Sequence, residues 1–293
     1  MLPIWYNKYK ELIDDSVKNY LTEYFEGEKN PWLNTVREAS LYSCKSWKRI
    51  RSILALEFYF IFSWRSIEDL NKNDDIIKFC ISLELLHSYS LIHDDLPAMD
   101  NDILRRWELT VWKKYWEANA ILVWDLLNSL AFEILSETKN NSLIKEFWQA
   151  VWFNWMVWGQ VLDLYYENNP KELTLENLIE IHNKKTGALI ETSLIWWLLV
   201  SKYSWEYKKY YDLWKKIGLA FQVKDDLLDV EGSIEETGKS VGDNEEKGFV
   251  YFMWIEKTHK YLDKLINDCK KIIKPLKSEK LNFLVNYIWS RKK

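Results

Sequence analysis

Two short acidic segments are the part of this chain best suited to chemistry. The first, His93-Asp94-Asp95-Leu96-Pro97-Ala98-Met99-Asp100, sets three carboxylates within seven residues at the end of an apolar stretch. Carboxylates at that density are costly unless something neutralises them, and closely spaced hard oxygen ligands suit Mg²⁺. Residues six apart do not share a helix face at about 3.6 residues per turn, and Pro97 disfavours helix at Leu96. The helix is therefore expected to end near Asp95, with Asp100 swinging back from the next turn. Taken alone, the segment reads equally well as a solvated helix end whose aspartates cap the following helix.

The second segment is Asp225-Asp226-Leu227-Leu228-Asp229, preceded by the apolar run Ile217-Gly218-Leu219-Ala220-Phe221-Gln222-Val223. Asp225 and Asp229 stand at i,i+4 and share a helix face, where like charges repel. Acids stacked at the mouth of a buried helix point to a second half of one metal site; an acidic surface patch is the plainer alternative, and two such segments in one helical chain argue against it. Basic residues are interleaved with the acidic ones: Lys45, Lys48, Arg49 and Arg51 come before the first segment, and Arg105-Arg106 follow it. Lys184-Lys185-Thr186 and Gly238-Lys239 come later. Arginine binds phosphate with a bidentate fork and lysine as a point charge, so carboxylates for metal alternating with cations for phosphate fit a Mg²⁺-diphosphate site.

The elements that must position these residues are helices. Apolar residues recur at helical spacing over 75–94 (Ile76, Phe79, Cys80, Leu83, Leu86 and Ser90 on one face), 118–136, 175–201 and 207–230. Strand alternation is rare, and five prolines and eight glycines in 293 residues leave room for long helices. The pattern predicts an all-α chain of ten or more helices, with loops at 26–32, 168–171 and 231–247; the last is the best candidate for a mobile lid. A net charge of −4 gives no reason to expect nucleic acid or an anionic membrane as partner. The N-terminal residues MLPIWYNKYK lack the apolar core of a signal peptide, and the apolar runs 53–64 and 194–200 are too short or too interrupted to span a bilayer. Three scattered cysteines, Cys44, Cys80 and Cys269, form neither a disulfide framework nor a zinc spacing. A cytoplasmic protein is expected.

The stretch from Leu85 to Asp100, followed by Arg105-Arg106, resembles the first aspartate-rich region of the trans-isoprenyl diphosphate synthases, in their bacterial farnesyl/geranylgeranyl form, and Phe221 to Asp229 resembles the second. Lys48-Arg49-Ile50-Arg51, Lys185-Thr186-Gly187 and Thr237-Gly238-Lys239 match further blocks, so the resemblance covers about residues 32 to 260 of a single domain spanning 1–293. It implies an all-α single-domain helical bundle around a deep central cavity, usually a homodimer. It implies Asp94, Asp100 and Asp225 as principal Mg²⁺ ligands, supported by Asp95 and Asp229. Arg105, Lys185 and Lys239 would hold an allylic diphosphate, while Lys48, Arg51, His87 and Arg106 would hold isopentenyl diphosphate. Thr186 and Gln222 would line the path of the carbocation. Ser90 and Tyr89, four and five residues before Asp94, would set product length, with Tyr89 as a floor that favours farnesyl over geranylgeranyl diphosphate. A terpene cyclase, or a non-catalytic subunit of a heteromeric synthase, is a weaker implication, because both acidic segments and the 48–51 cluster are present.

One count is abnormal: tryptophan occurs 18 times and glycine 8 times. Trp47, Trp107, Trp116, Trp124, Trp155, Trp158, Trp197, Trp214 and Trp254 stand where the resembled family carries glycine, and an indole in a close-packed glycine site overpacks it. The simplest account is translational: codons written here as tryptophan are UGA and are read as glycine in the source. Such side chains are expected to crowd helix contacts or the mouth of the site.

Overall fold

The computed structural model describes residues 2–138, 140–151, 156–193, 207–231 and 248–291. Among these the chain is helix after helix, and it gathers into two compact units, Met1–Ile144 and Lys145–Lys293.

The first unit holds α1 (Ile4–Tyr24), α2 (Asn34–Ser43), α3 (Ile50–Ser63), α4 (Asp75–Asp95), α5 (Val111–Tyr115) and α6 (Glu117–Ser136). On α1 the buried residues are Tyr6, Tyr9, Ile13, Val17 and Leu21, one per turn along a single stripe. By contrast α4 is buried on every side from Phe79 to Leu86, so the one-faced stripe read from its sequence understates it. It is the central helix of the unit, packed by α1, α3 and α6. Each fully buried large aliphatic side chain there contributes about 1.5–3 kcal/mol. Helix α6 is long and apolar enough to cross a membrane by length and composition. Its stripe of Ala120, Val123, Leu127, Leu130, Ala131 and Ile134 is instead buried in a helix that packs on α4. Between α4 and α5 the chain forms an antiparallel hairpin, β1 (Leu104–Arg105) and β2 (Glu108–Leu109), which the helical pattern gave no hint of.

The second unit takes over within α7 (Asn141–Val151) and continues through α8 (Met156–Asn168), α9 (Leu175–His182), α10 (Tyr207–Glu231), α11 (Phe249–Ile273) and α12 (Glu279–Ser290). Helix α9 runs into a π-turn over Asn183–Gly187, and helix continues from there to residue 193. Two glycines seat this turn. A Cβ on Gly159 would stand 2.6 Å from the backbone nitrogen of Lys185, and one on Gly218 would stand 3.1 Å from Gly187 Cα. Close backbone approach from α8 and α10 therefore requires glycine at both places.

The loops expected at 26–32 and 168–171 lie where α1 and α8 end. Residues 232–247, read as a lid, lie outside the described residues, as do Trp155 and Trp197. Among the remaining tryptophans, Trp214 is fully buried in α10, whereas Trp116 and Trp254 project into solvent at 80% and 75% exposure rather than crowding a contact.

Candidate active site

Helix α4 carries the first acidic segment to its working position and then stops. Asp95 is the last helical residue, and Leu96, ahead of Pro97, turns extended at φ −57° and ψ 150°. The chain then folds back. The N–H of Asp100 donates to the carbonyl of Asp94 at 2.9 Å, and that of Asn101 to the carbonyl of Leu96 at 3.1 Å. Asp94 and Asp100, six apart in sequence, thereby share one end of the helix. Asp94 is half-buried, Asp100 is exposed and Asp95 is buried. Arg105 grips Asp95 Oδ1 with Nε and Nη2, both at 2.6 Å.

The cations of this unit gather beside those carboxylates. The hairpin places Arg105 and Arg106 side by side. Burial alone would lower the pKa of Arg105, but Asp95, with help from Asp94 and Asp102, holds it above its usual range. For Arg106 the balance falls the other way: burial and the charge of Arg105, with Arg49 and Arg51 adding to them and Glu84 only partly offsetting them, push it down to about 9. At neutral pH it is still a cation, held among cations. Arg51 Nη1 lies 3.3 Å from His87 Nε2. Burial, then Arg51 and Arg106, hold the His87 imidazole well below its ordinary value of 6.5, so it is neutral at pH 7. A neutral imidazole within a fan of guanidiniums is an anion-seeking arrangement, because a bound diphosphate relieves the mutual repulsion of the cations. Lys48 sits half-buried on the approach to α3, and its carbonyl accepts from the Tyr6 hydroxyl at 2.5 Å.

Arg49 has a different job from its neighbours Lys48 and Arg51. It is buried, with Nε 2.8 Å from Asp14 of α1 and Nη1 2.8 Å from Glu84 of α4. Its Nη2 donates to the carbonyl of Cys44 at 2.6 Å. Glu84 also accepts from the Ser52 hydroxyl at 2.5 Å. This clamp ties the 44–49 loop to two helices and so fixes where Lys48 and Arg51 stand. Sequence spacing grouped Arg49 with the phosphate-binding cations; its burial and its two carboxylates are not visible from spacing.

Further up α4, Tyr89 stacks on Trp124 of α6, with ring centroids 5.7 Å apart and planes 20° apart. Burial pushes its phenol up. The Ser90 hydroxyl donates to the carbonyl of His87 at 2.8 Å. Trp124 also lies 4.8 Å from His93.

In the second unit α10 runs unbroken through Asp225, Asp226 and Asp229. Asp225 Oδ1 lies 2.7 Å from Arg291 Nη2, and the same Arg291 donates to the carbonyl of Phe221 at 2.7 Å and stacks on its ring at 3.8 Å. Asp226 Oδ2 accepts from the N–H of Phe249 at 2.6 Å and so caps α11. Gly248 makes that approach possible: its φ is 111° and a Cβ there would meet Asp226 Oδ2 at 2.9 Å. Gln222 and Asp229 are half-buried on the same helix. Lys185, in the π-turn, pairs with Asp163 of α8 at 2.9 Å. Single-turn π segments are common at functional sites because they re-aim side chains within a helix. Thr186 lies in this turn, its side chain outside the description, and Lys239 lies outside the described residues altogether. Spacing offered no sign of Arg291, Asp163 or the capping role of Asp226.

A fit to Mg²⁺ rests on the chemistry of the donors in each unit. Asp94 and Asp100 at the end of α4, and Asp225 and Asp229 on α10, offer hard carboxylate oxygens, while Asp95 is engaged by Arg105 and Asp225 by Arg291. The model of the polyprenyl synthetase family matches residues 33–288. The chain belongs to the polyprenyl synthetase family. It is a trans-prenyltransferase of isoprenoid biosynthesis. The chain is 38% identical to the farnesyl diphosphate synthase of Micrococcus luteus over 289 residues, 94% of this chain and 96% of that one. It is 35% identical to a geranylgeranyl pyrophosphate synthase of Arabidopsis thaliana, over 73% of this chain and 61% of that one. A geranyltransferase of Helicobacter pylori, solved with magnesium and isoprenyl diphosphate, superposes with a TM-score of 0.78 at 31% identity, covering 99% of this chain and 97% of that one.

Proposed function

We propose that this prenyltransferase joins isopentenyl diphosphate to dimethylallyl and then geranyl diphosphate, giving farnesyl diphosphate. The observation that carries the reading is the first unit's site, where a folded-back carboxylate turn, held through Asp95 by Arg105, stands beside the cluster of Arg51, Arg106 and neutral His87. Asp94, Asp100 and Asp225, with Asp95 and Asp229 in support, would hold Mg²⁺, whose charge favours departure of pyrophosphate. Arg105, Lys185 and Lys239 bind the allylic diphosphate. Lys48, Arg51, His87 and Arg106 bind isopentenyl diphosphate, with neutral His87 donating one hydrogen bond without adding charge. As the allylic C–O bond ionises, the isopentenyl double bond attacks the cation and a proton leaves to the departing pyrophosphate. Thr186 and Gln222 line that path, and the protein excludes water from it. A cytoplasmic homodimer is the accompanying expectation; the three cysteines, all buried and free, fit a reducing compartment.

Geranylgeranyl diphosphate is the second reading, favoured by the likeness to the plant enzyme. Mass spectrometry of products from isopentenyl plus dimethylallyl diphosphate separates the two. A C15 product, abolished by EDTA and restored by Mg²⁺, is expected; activity that survives EDTA overturns the metal assignment, and a C20 product overturns the chain length.

A further inference from the structure

Among the described residues, eight other than glycine have positive φ, and four of them are tryptophan: Trp64, Trp107, Trp116 and Trp254. No bulky side chain belongs there in such number, because Cβ clashes with the backbone in that half of conformational space. Two of the four lie outside even the small left-handed region. Trp116 has φ 75° and ψ 151°, and Trp254 has φ 64° and ψ 154°. That region is almost exclusive to glycine.

Each of the four occupies a post with a specific mechanical need for glycine. Trp64 is the left-handed residue that ends α3, at φ 59° and ψ 21°. Trp116 is the hinge between α5 and α6. Trp254 makes the kink inside α11, and its carbonyl accepts from the Thr258 hydroxyl at 2.9 Å. Trp107 shares the two-residue loop of the hairpin with Arg106. Arg105 pairs with Glu108 in register, and φ is positive at both loop residues, 55° and 63°. That is the signature of a type I′ turn, whose second loop position is ordinarily glycine. The four indoles do little to repay the strain, being 90%, 43%, 80% and 75% exposed in chain order.

Other tryptophans behave as tryptophan should. Trp112 donates from Nε1 to the carbonyl of Asp102 at 2.8 Å, and Trp289 donates to Asp263 at the same distance. Trp5 sets its ring edge-on to Tyr6 and Tyr9. All three lie inside helices.

We infer that the codons for Trp64, Trp107, Trp116 and Trp254 are read as glycine in the source of this chain, whereas Trp5, Trp112 and Trp289 are genuine, and that glycine at 107 presents Arg106 to the diphosphate. The last clause rests on the proposed activity; the codon assignment does not.

Peptide mass spectrometry of the protein purified from its own source, with the gene sequenced alongside, tests the assignment without any activity assay. Glycine at 64, 107, 116 and 254 from UGA codons, with tryptophan at 5, 112 and 289 from UGG, is expected. Tryptophan at any of the four, or UGG codons there, overturns it. For the hairpin, a recombinant chain carrying W64G, W116G and W254G is compared with the same chain plus W107G. The added change should lower the KM for isopentenyl diphosphate several-fold, with a smaller effect on the KM for the allylic substrate. Equal effects on both, or none, overturn the presenting role while leaving the codon result standing.

Discussion

The two acidic segments have nearly the same residues and different backbones. In the second, α10 continues through Asp225 and Asp229, and helix pitch alone puts them on one face. In the first, α4 stops at Asp95 because Pro97 follows, and a hydrogen-bonded turn brings Asp100 back to Asp94. Each segment is also gripped by an arginine, at very different sequence range. Asp95 is held by Arg105, ten residues on, and Asp225 by Arg291 near the other end of the unit. The first grip is sealed, with both partners mostly buried; in the second, Asp225 remains 40% exposed. Local turn chemistry builds the one, and a long-range return of the chain builds the other.

The contrast between sealed and open charge is breakable first by stability. Arg49→Met leaves Glu84 buried without its cation, which should cost about 3–5 kcal/mol. Arg291→Met strips a half-exposed partner and should cost about 1–2 kcal/mol, from the lost backbone bond and ring stacking. Denaturant titration of both variants decides it; equal losses would mean that the pair of Arg291 and Asp225 is as sealed as the buried clamp of Arg49. Activity comes next. Asp94→Ala and Asp225→Ala should each lower kcat on the order of 10²–10³-fold, as removal of a transition-state charge partner does. If one retains full turnover in steady-state assay, only one of the segments works in catalysis.

A product shift is the third effect. Tyr89→Ala opens the α4–α6 contact at Trp124 and should lengthen the prenyl product, read by chromatography of the hydrolysed chains. An unchanged product removes Tyr89 as the floor. The smallest effect is a pH slope. His87 has its folded pKa depressed below the unfolded value near 6.5. The unfolded chain therefore binds the proton more readily, and stability falls as pH drops below about 6.5. His87→Gln should flatten that acid-side slope in thermal melts between pH 7 and 5; a slope equal to wild type places the depressed group elsewhere.

Much of this was legible in the sequence, and what was not has a common cause. Pro97 and the spacing of Asp94 and Asp100 foretold the helix end and the returning turn, because both depend on neighbours a few residues away. The i,i+4 pair Asp225 and Asp229 was legible for the same reason. Arg49 was not separable from Lys48 and Arg51, since its partners lie 35 residues away on either side, at Asp14 and Glu84. Arg291 and Asp163 were silent because nothing local marks them. The hairpin was hidden by Trp107, which masks the glycine signal that would have announced a two-residue turn.

The clamp of Asp14, Arg49 and Glu84 also limits how this chain can evolve. Loss of the arginine strands a buried acid, and loss of either acid strands a buried guanidinium, so each single step runs downhill in fitness. Neutral drift can cross that valley only if an apolar replacement at one corner is matched promptly at another. Descendants should therefore keep the three residues together or shed them together, and a lineage found with just one of them altered should show a new hydrogen-bond donor or acceptor in the vacated space.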